Sequence, residues 1–307
     1  MSNQRLTYPL LPFSQLVYEM TRWWPKVYTF PMTYVWPNGA KERDRIESAI
    51  RTAVMNHPVF SARIDWRRRQ YPSFLKDILH GPYHDIEIKR EGEDAIIQIK
   101  ASRILGDGRS AEILMEDIQH AYANQPLERD DYWGYLEYVE QQKQSQHYAE
   151  SKVWLESEFS DTSIPVRPTL DKRLWTILLP KVGLCQTDYS DLLDKINQLA
   201  ETEFLSMDGF FSLCAALAIT EYCDTNAAAL TWAYVGRERP EEQRIFGSLH
   251  RDVPFVINIK GERLKVKGDL IREARNQIRS GIAHSDYPYT LTKPYSNRWN
   301  YAVNVLR

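Results

Sequence analysis

Ala95-Ile96-Ile97-Gln98-Ile99-Lys100-Ala101 runs directly into Ser102-Arg103-Ile104-Leu105-Gly106-Asp107-Gly108-Arg109-Ser110, and that stretch opens onto Ala111-Glu112-Ile113-Leu114-Met115-Glu116-Asp117-Ile118. The first segment alternates β-branched and polar residues, the pattern of a strand. The middle one reads as a loop over Ser102–Ser110. The last carries Ile113, Leu114, Ile118 and Tyr122 on one face, which predicts an amphipathic helix from about Ala111 to Ala123. A strand feeding a loop that launches a helix is the joint of an α/β protein.

Reading outward, Ile86–Lys89 is a second strand joined to Ala95–Ala101 by the polar turn Glu91-Gly92-Glu93-Asp94. Tyr28–Trp36 is a further strand, stopped by Pro37-Asn38-Gly39. A helix follows from about Ala40 to Asn56, with Ile46, Ala49, Ile50, Ala53 and Val54 on its apolar face. Phe60–Trp66 alternates and reads as a strand. Two helices fit Asp130–Phe159. Ser160–Lys172, with Pro165 and Pro168, marks a lobe boundary, which gives lobes of 1–165 and 166–307. The second half restarts with a strand near Leu174–Leu179. Two helices follow, N-capped by Thr187 and Ser206. Leu192, Leu193, Ile196 and Leu199 line the first, and Phe210, Phe211, Cys214 and Leu217 line the second. Strands near Ala229–Val235 and Pro254–Ile259, a helix over Lys267–Ile282 and a strand over Tyr301–Val305 complete the pattern.

The chain has 307 residues, 43% of them apolar, and so can bury one large core or two. A net charge of −2 gives no electrostatic reason to expect nucleic acid or a membrane surface as partner. The basic run Arg67–Arg69 reads as a solvated loop. Cys185, Cys214 and Cys223 lack metal-ligand spacing, and Cys214 reads as a small core residue. No apolar signal core or membrane-length stretch is present, and a cytoplasmic, reducing location is expected.

Several segments, in order, resemble the condensation domains of nonribosomal peptide synthetases. Tyr8–Gln15 is similar to that family's opening motif, with Gln15 and Tyr18 in register. Asn56-His57-Pro58 resembles the second motif, with Asn56 where the family has arginine. Ser102–Ser110 and its helix resemble the diagnostic third motif, His-His-x-x-x-Asp-Gly, with Asp107 and Gly108 matching. Tyr135–Tyr138 resembles the fourth, Val235-Gly236-Arg237 with Ile245-Phe246-Gly247 and Val253-Pro254 the fifth, Ala283–Tyr289 the sixth, and Asn297-Arg298 the seventh. The resemblance implies two chloramphenicol-acetyltransferase-like lobes in a V with a tunnel between them. Because this chain stops soon after the seventh motif, it also implies a truncated C-terminal lobe.

In that family two thioesters arrive on the phosphopantetheine arms of carrier proteins, and an amine on one attacks the other. The second motif histidine lies where the amine and the oxyanion meet. Arg103 stands at that position, and Ser102 replaces the first histidine. A guanidinium carries donors only and cannot accept a proton near neutral pH, although it can stabilise an oxyanion. The plain reading of Arg103 is a pairing or space-filling role in a degenerate site. A related branch, which recruits haem monooxygenases to assembly lines, also carries arginine there, but it departs from the Asp-Gly that this chain keeps. The resemblance implies that Asp107 pairs with Arg237 to tie the motif loop to the second lobe. Gly108 is expected to supply a backbone conformation or close approach that a Cβ would block.

Ser102, His250 and His284 are the candidates for lining the tunnel. His57 and His284 read as hydrogen-bonded structural residues rather than bases. His80 and His84 flank Gly81-Pro82, which forbids a helical metal pair, and no metal motif or bound cofactor is expected.

Three functions are consistent with these residues. The first is a condensation-like protein that lacks histidine-dependent amide formation and binds a carrier protein or tailoring enzyme. The second is an active acyltransferase in which Arg103 stabilises the oxyanion. The third, more remote, is an acetyltransferase-like enzyme using diffusible acyl-CoA. Partners acting in trans are expected, and a homodimer that supplies the missing part is left open.

Overall fold

The computed structural model describes residues 7–21, 29–62, 70–72, 80–81, 83–158, 190–202, 205–258, 267–288 and 301–303. The 165/166 boundary, the strand expected at 174–179, the cap at Thr187, Cys185, Arg67–Arg69 and the seventh motif lie outside these residues. The chain divides into two compact units, Met1–Gln144 with Val235–His250, and Ser145–Tyr234 with Arg251–Arg307.

The first unit contains β1 (Thr7–Pro9), α1 (Pro12–Thr21), β2 (Thr29–Trp36), α2 (Arg43–Asn56), β3 (Gln70–Pro72), β4 (His80–Gly81), β5 (His84–Glu91), β6 (Asp94–Ser102), α3 (Gly108–Tyr122) and α4 (Tyr132–Gln142). The order β2-β6-β5-β4 forms one antiparallel sheet. Gly92, at φ +62°, makes the turn between β5 and β6. The register sets Ile86 opposite Ile99 and Ile88 opposite Ile97, with Met32 and Tyr34 on the far side of the same pair. That face is apolar because strand side chains alternate. It packs into one core with Ile46, Ala49, Ile50, Ala53 and Val54 of α2 and Leu114 and Ile118 of α3.

Two readings of this unit change. Phe60 and Ser61 belong to a 3₁₀ turn, Pro58–Ser61, and not to the expected strand Phe60–Trp66, whose residues 63–66 lie outside the described residues. Pro58 fixes φ at its first position, and Phe60 drops into the core. The helix expected from Ala111 begins at Gly108, because Asp107 is its N-cap. The Asp107 carboxylate accepts from the Ser110 N–H at 3.0 Å, and the Ser110 hydroxyl lies 3.2 Å from the Asp107 N–H. This reciprocal pair satisfies two groups a helix start leaves open.

The second unit contains α5 (Gln146–Glu158), α6 (Leu193–Thr202), α7 (Met207–Cys223), β7 (Ala227–Tyr234), β8 (Arg251–Asn258), α8 (Lys267–Ala283) and β9 (Tyr301–Val303). Its sheet runs β8-β7-β9, with β7–β8 antiparallel and β7–β9 parallel. β7 and β8 are buried on both faces, which explains their unbroken apolar runs. Leu230, Trp232, Val253 and Phe255 pack with α7 and α8, while Ala229 and Val256 pack with Leu155 of α5.

Ser206 caps α7 by accepting from the Gly209 N–H at 3.1 Å. The buried face of α7 is Gly209, Ser212, Leu213, Ala216, Ile219 and Thr220, not Phe210, Phe211, Cys214 and Leu217. This helix is apolar nearly all round, so its pattern does not select a face, and the small residues go to the sheet. Cys214 is exposed rather than a core residue. In the neighbouring helical segment Leu192 and Leu193 are exposed as well, and only Ala200 of α6 is buried. Among the described residues no single helix is long and apolar enough to cross a membrane.

Candidate functional site

The loop after β6 is built from below by Asp107. Its side chain is 7% exposed and meets Arg237, whose side chain is 1% exposed. Arg237 Nη1 donates to Asp107 Oδ2 at 2.9 Å and Nη2 to Oδ1 at 3.0 Å, a two-pronged fit that only a guanidinium makes. Arg237 also donates to the Val235, Ile245 and Gly247 carbonyls. Asp107 Oδ2 accepts the main-chain N–H groups of Leu249 and His250, at 3.0 and 3.2 Å. Burial pushes the Asp107 carboxyl up, but the Arg237 charge and hydrogen bonds outweigh it and hold the group below the usual range. Arg237 lies in Val235–His250, which clusters with the first unit, so the pair is internal to that unit.

The two glycines of the loop exchange roles. A Cβ on Gly108 would meet nothing within 4 Å, and Gly108 is not at positive φ, so it blocks no close approach. Gly106 does, since its Cβ would lie 2.9 Å from Ser110 Cβ and 3.0 Å from Phe246 Cε1. Gly106→Ala is therefore expected to cost about 1–3 kcal/mol by overpacking. Gly108→Ala should change stability by less than about 1 kcal/mol, in the stabilising direction. Urea unfolding of both variants checks the contrast, and equal losses would refute it.

Ser102 is buried, and its hydroxyl accepts from the Ile104 N–H at 3.3 Å. Arg103 follows in the turn and is exposed. Among the described residues it has no ion pair or hydrogen bond.

Behind the loop lies a buried polar network that spacing alone did not reveal. His57 is fully buried, with Nδ1 2.8 Å from Asp130 and Nε2 3.3 Å from Asp117. Burial opposes its charge, yet the hydrogen bonds to the two carboxylates hold the imidazole above its usual value. Asn56 donates to Asp117 at 3.0 Å, and Arg244 pairs with Asp117 and Glu116. The cation expected from the second motif is thus absent at position 56, and Arg244 places one on the same carboxylate. Asp130 also accepts the Phe246 N–H at 2.9 Å.

His250 follows Leu249 at the end of this segment. Its ring meets Phe13 edge-on, with centroids 3.8 Å apart, and Nδ1 is buried without a partner. Burial pulls its pKa down to about 4. The Arg103 and Arg237 charges add to this, while Asp107 opposes it. His284 belongs to the second unit. It stacks on Trp154 at 4.7 Å and shares Ser151, at 3.1 Å, with Asp286. Ser151 is wholly buried, and its hydroxyl donates to Asp286, so it is no nucleophile. His80 and His84 lie on adjacent antiparallel strands. Among the described residues no cluster of three or more histidine, cysteine or acidic side chains could hold a metal.

A family model described as the condensation domain matches residues 77–304. A search of curated protein sequences returns no match. Among solved structures, the first condensation domain of the CDA synthetase gives a TM-score of 0.75 at 12% identity, over 98% of this chain and 83% of that one. A mutant of the starter condensation domain of rhizomide synthetase RzmA, in complex with C8-CoA, gives 0.76 at 16%, over 98% and 78%. The condensation domain from Monacolin K polyketide synthase MokA gives 0.73 at 12%, over 99% and 79%. The mixed α/β architecture, with a sheet and helices in each unit, matches the fold these domains share.

Proposed function

The chain belongs to the condensation-domain family, and we propose that it receives a thioester on the phosphopantetheine arm of a carrier protein at the 102–110 loop, in nonribosomal peptide or polyketide assembly. Arg103 is the group that meets the thioester carbonyl. The observation that carries this reading is an exposed guanidinium without a partner among the described residues, borne on a loop whose underside is locked by Asp107 and Arg237. A fixed loop lets the cation meet a ligand without reorganising, which is how a preorganised donor stabilises an oxygen that gains charge. Arg103 takes no proton, so amide formation by the usual motif histidine is absent.

Hydrogen bonds to a charged group contribute about 1.5–3 kcal/mol, so Arg103→Ala should weaken binding of an acylated carrier by roughly 10- to 150-fold. Titration calorimetry with native and variant protein measures this. Equal affinities would sink the role given to Arg103.

The missing base at position 103 favours a second reading, in which the carrier or a tailoring enzyme is held without conversion. Mass spectrometry of donor and acceptor carriers loaded with their substrates discriminates between the two. Tight binding with no amide or ester product supports the recruiting role, and product formation supports acyl transfer.

A further inference from the structure

We propose that His250 is the proton acceptor that position 103 lacks. It has this role only if acyl transfer takes place at the 102–110 loop, the reading given above. Two contacts place His250 beside the segment that bears Arg103. The His250 main-chain N–H donates to Asp107 Oδ2 at 3.2 Å, which ties residue 250 to the loop. On the other side, Phe13 packs against the ring, and Ser14, the next residue of α1, donates to the Ile104 carbonyl at 3.1 Å. Ile104 is the neighbour of Arg103 in the chain.

The histidines differ in how their nitrogens are used. His57 hydrogen-bonds Asp130 through Nδ1 and faces the Asp117 carboxylate at 3.3 Å through Nε2, and His284 spends Nδ1 on Ser151. His250 is held by its main chain and by the Phe13 contact, and its Nδ1 is buried without a hydrogen-bond partner among the described residues. A buried imidazole left without a partner is costly unless a ligand completes it. The charged groups acting on it are Asp107, Arg103 and Arg237, and with burial they leave the ring neutral at pH 7, with a lone pair to offer.

The reaction balances without any further reagent. The amine nitrogen attacks the thioester carbonyl carbon, and the C–N bond forms while an N–H proton passes to His250. The carbonyl oxygen carries its negative charge against Arg103. As the carbonyl re-forms, the C–S bond breaks and His250 returns the proton to sulfur, which leaves an amide and a free pantetheine thiol. The two neighbouring guanidiniums disfavour the imidazolium, so it gives its proton up readily.

His250→Gln and His250→Ala keep the main-chain N–H on Asp107, so the loop stays tied. With loaded donor and acceptor carriers and product read by mass spectrometry, each variant should lose about 100-fold or more in turnover while carrier binding is unchanged. Added imidazole should restore part of the activity of His250→Ala, which a packing role would not allow. In an NMR titration of the histidine ring, His250 should titrate near 4 in the native protein, and Arg103→Ala should move it upward. Native turnover that survives in His250→Gln would overturn the role of His250 and leave acyl transfer standing. No native turnover would overturn both. Loss of carrier binding along with turnover, without imidazole rescue, would make His250 a structural residue.

Discussion

Arg237→Ala should lower the stability of the first unit by about 3–5 kcal/mol, the cost of removing one partner from a buried ion pair. The loss has three sources. Asp107 keeps its charge in a site that is 7% exposed and has no cation left against it. The Ile245 and Gly247 carbonyls lose the Nη2 donor that reaches both at 3.1 Å. The Ser110 hydroxyl, 3.2 Å from the same nitrogen, loses a neighbour at the helix cap. For a unit of this size, each kcal/mol corresponds to roughly 2–4 °C in Tm, so a fall of roughly 6–20 °C is expected. Arg237→Lys should fall between, because it keeps the charge but not the planar fork. Folding holds the Asp107 pKa below its ordinary 3.8, so the pair's contribution is present above that value and is lost as pH falls through the folded value. In Arg237→Ala this acid-side loss should disappear, because burial without the cation raises the Asp107 carboxyl and protonation then relieves the unpaired charge. Urea unfolding followed by fluorescence tests both points, and a loss under about 1 kcal/mol would show that the pair is not what holds the loop.

His57→Ala should cost a similar ~3–5 kcal/mol, since it leaves Asp117 and Asp130 facing an empty site inside the core. Its pH signature has the opposite sign. The folded imidazole titrates above the ordinary 6.5, so its contribution is fully present below 6.5 and fades as pH rises through the folded value. The first unit should therefore lose stability as pH rises above 6.5, and His57→Gln should remove that slope. A slope that persists in His57→Gln would place the titrating group elsewhere.

What could be read from the chain beforehand follows from how local each signal is. The buried face of α2 was legible because Ile46, Ala49, Ile50, Ala53 and Val54 contrast with charged residues opposite. The β5–β6 hairpin was legible because alternation and the Gly92 turn agree. The α7 face was not, because an apolar helix offers no contrast, and its buried stripe includes Ser212 and Thr220. In the loop, the apolar periodicity begins only at Ala111, whereas the Asp107 cap, which depends on Ser110 geometry, sets the helix start three residues earlier. Gly106 and Gly108 look alike in the sequence, because only packing against Ser110 and Phe246 separates them. Arg244 on Asp117 carries no local signal, since 127 positions separate them. The closeness of His250 to the Arg103 segment likewise depends on contacts across the chain.

The assignment of Val235–His250 to the first unit has a consequence for how the chain is made. Asp107 leaves the ribosome 130 residues ahead of Arg237. At roughly 5–20 residues per second, the loop waits about 6–26 s for its cation, and Asp117 waits about as long for Arg244. Throughout that interval the nascent first unit carries buried-to-be carboxylates without their arginines, and the whole α5–β7 stretch is synthesised before those arrive. Its folding is thus timed by translation of residues 235–250. A chain ended at 144 should stay protease-sensitive, whereas one ended at 250 should already protect the β2-β6-β5 sheet.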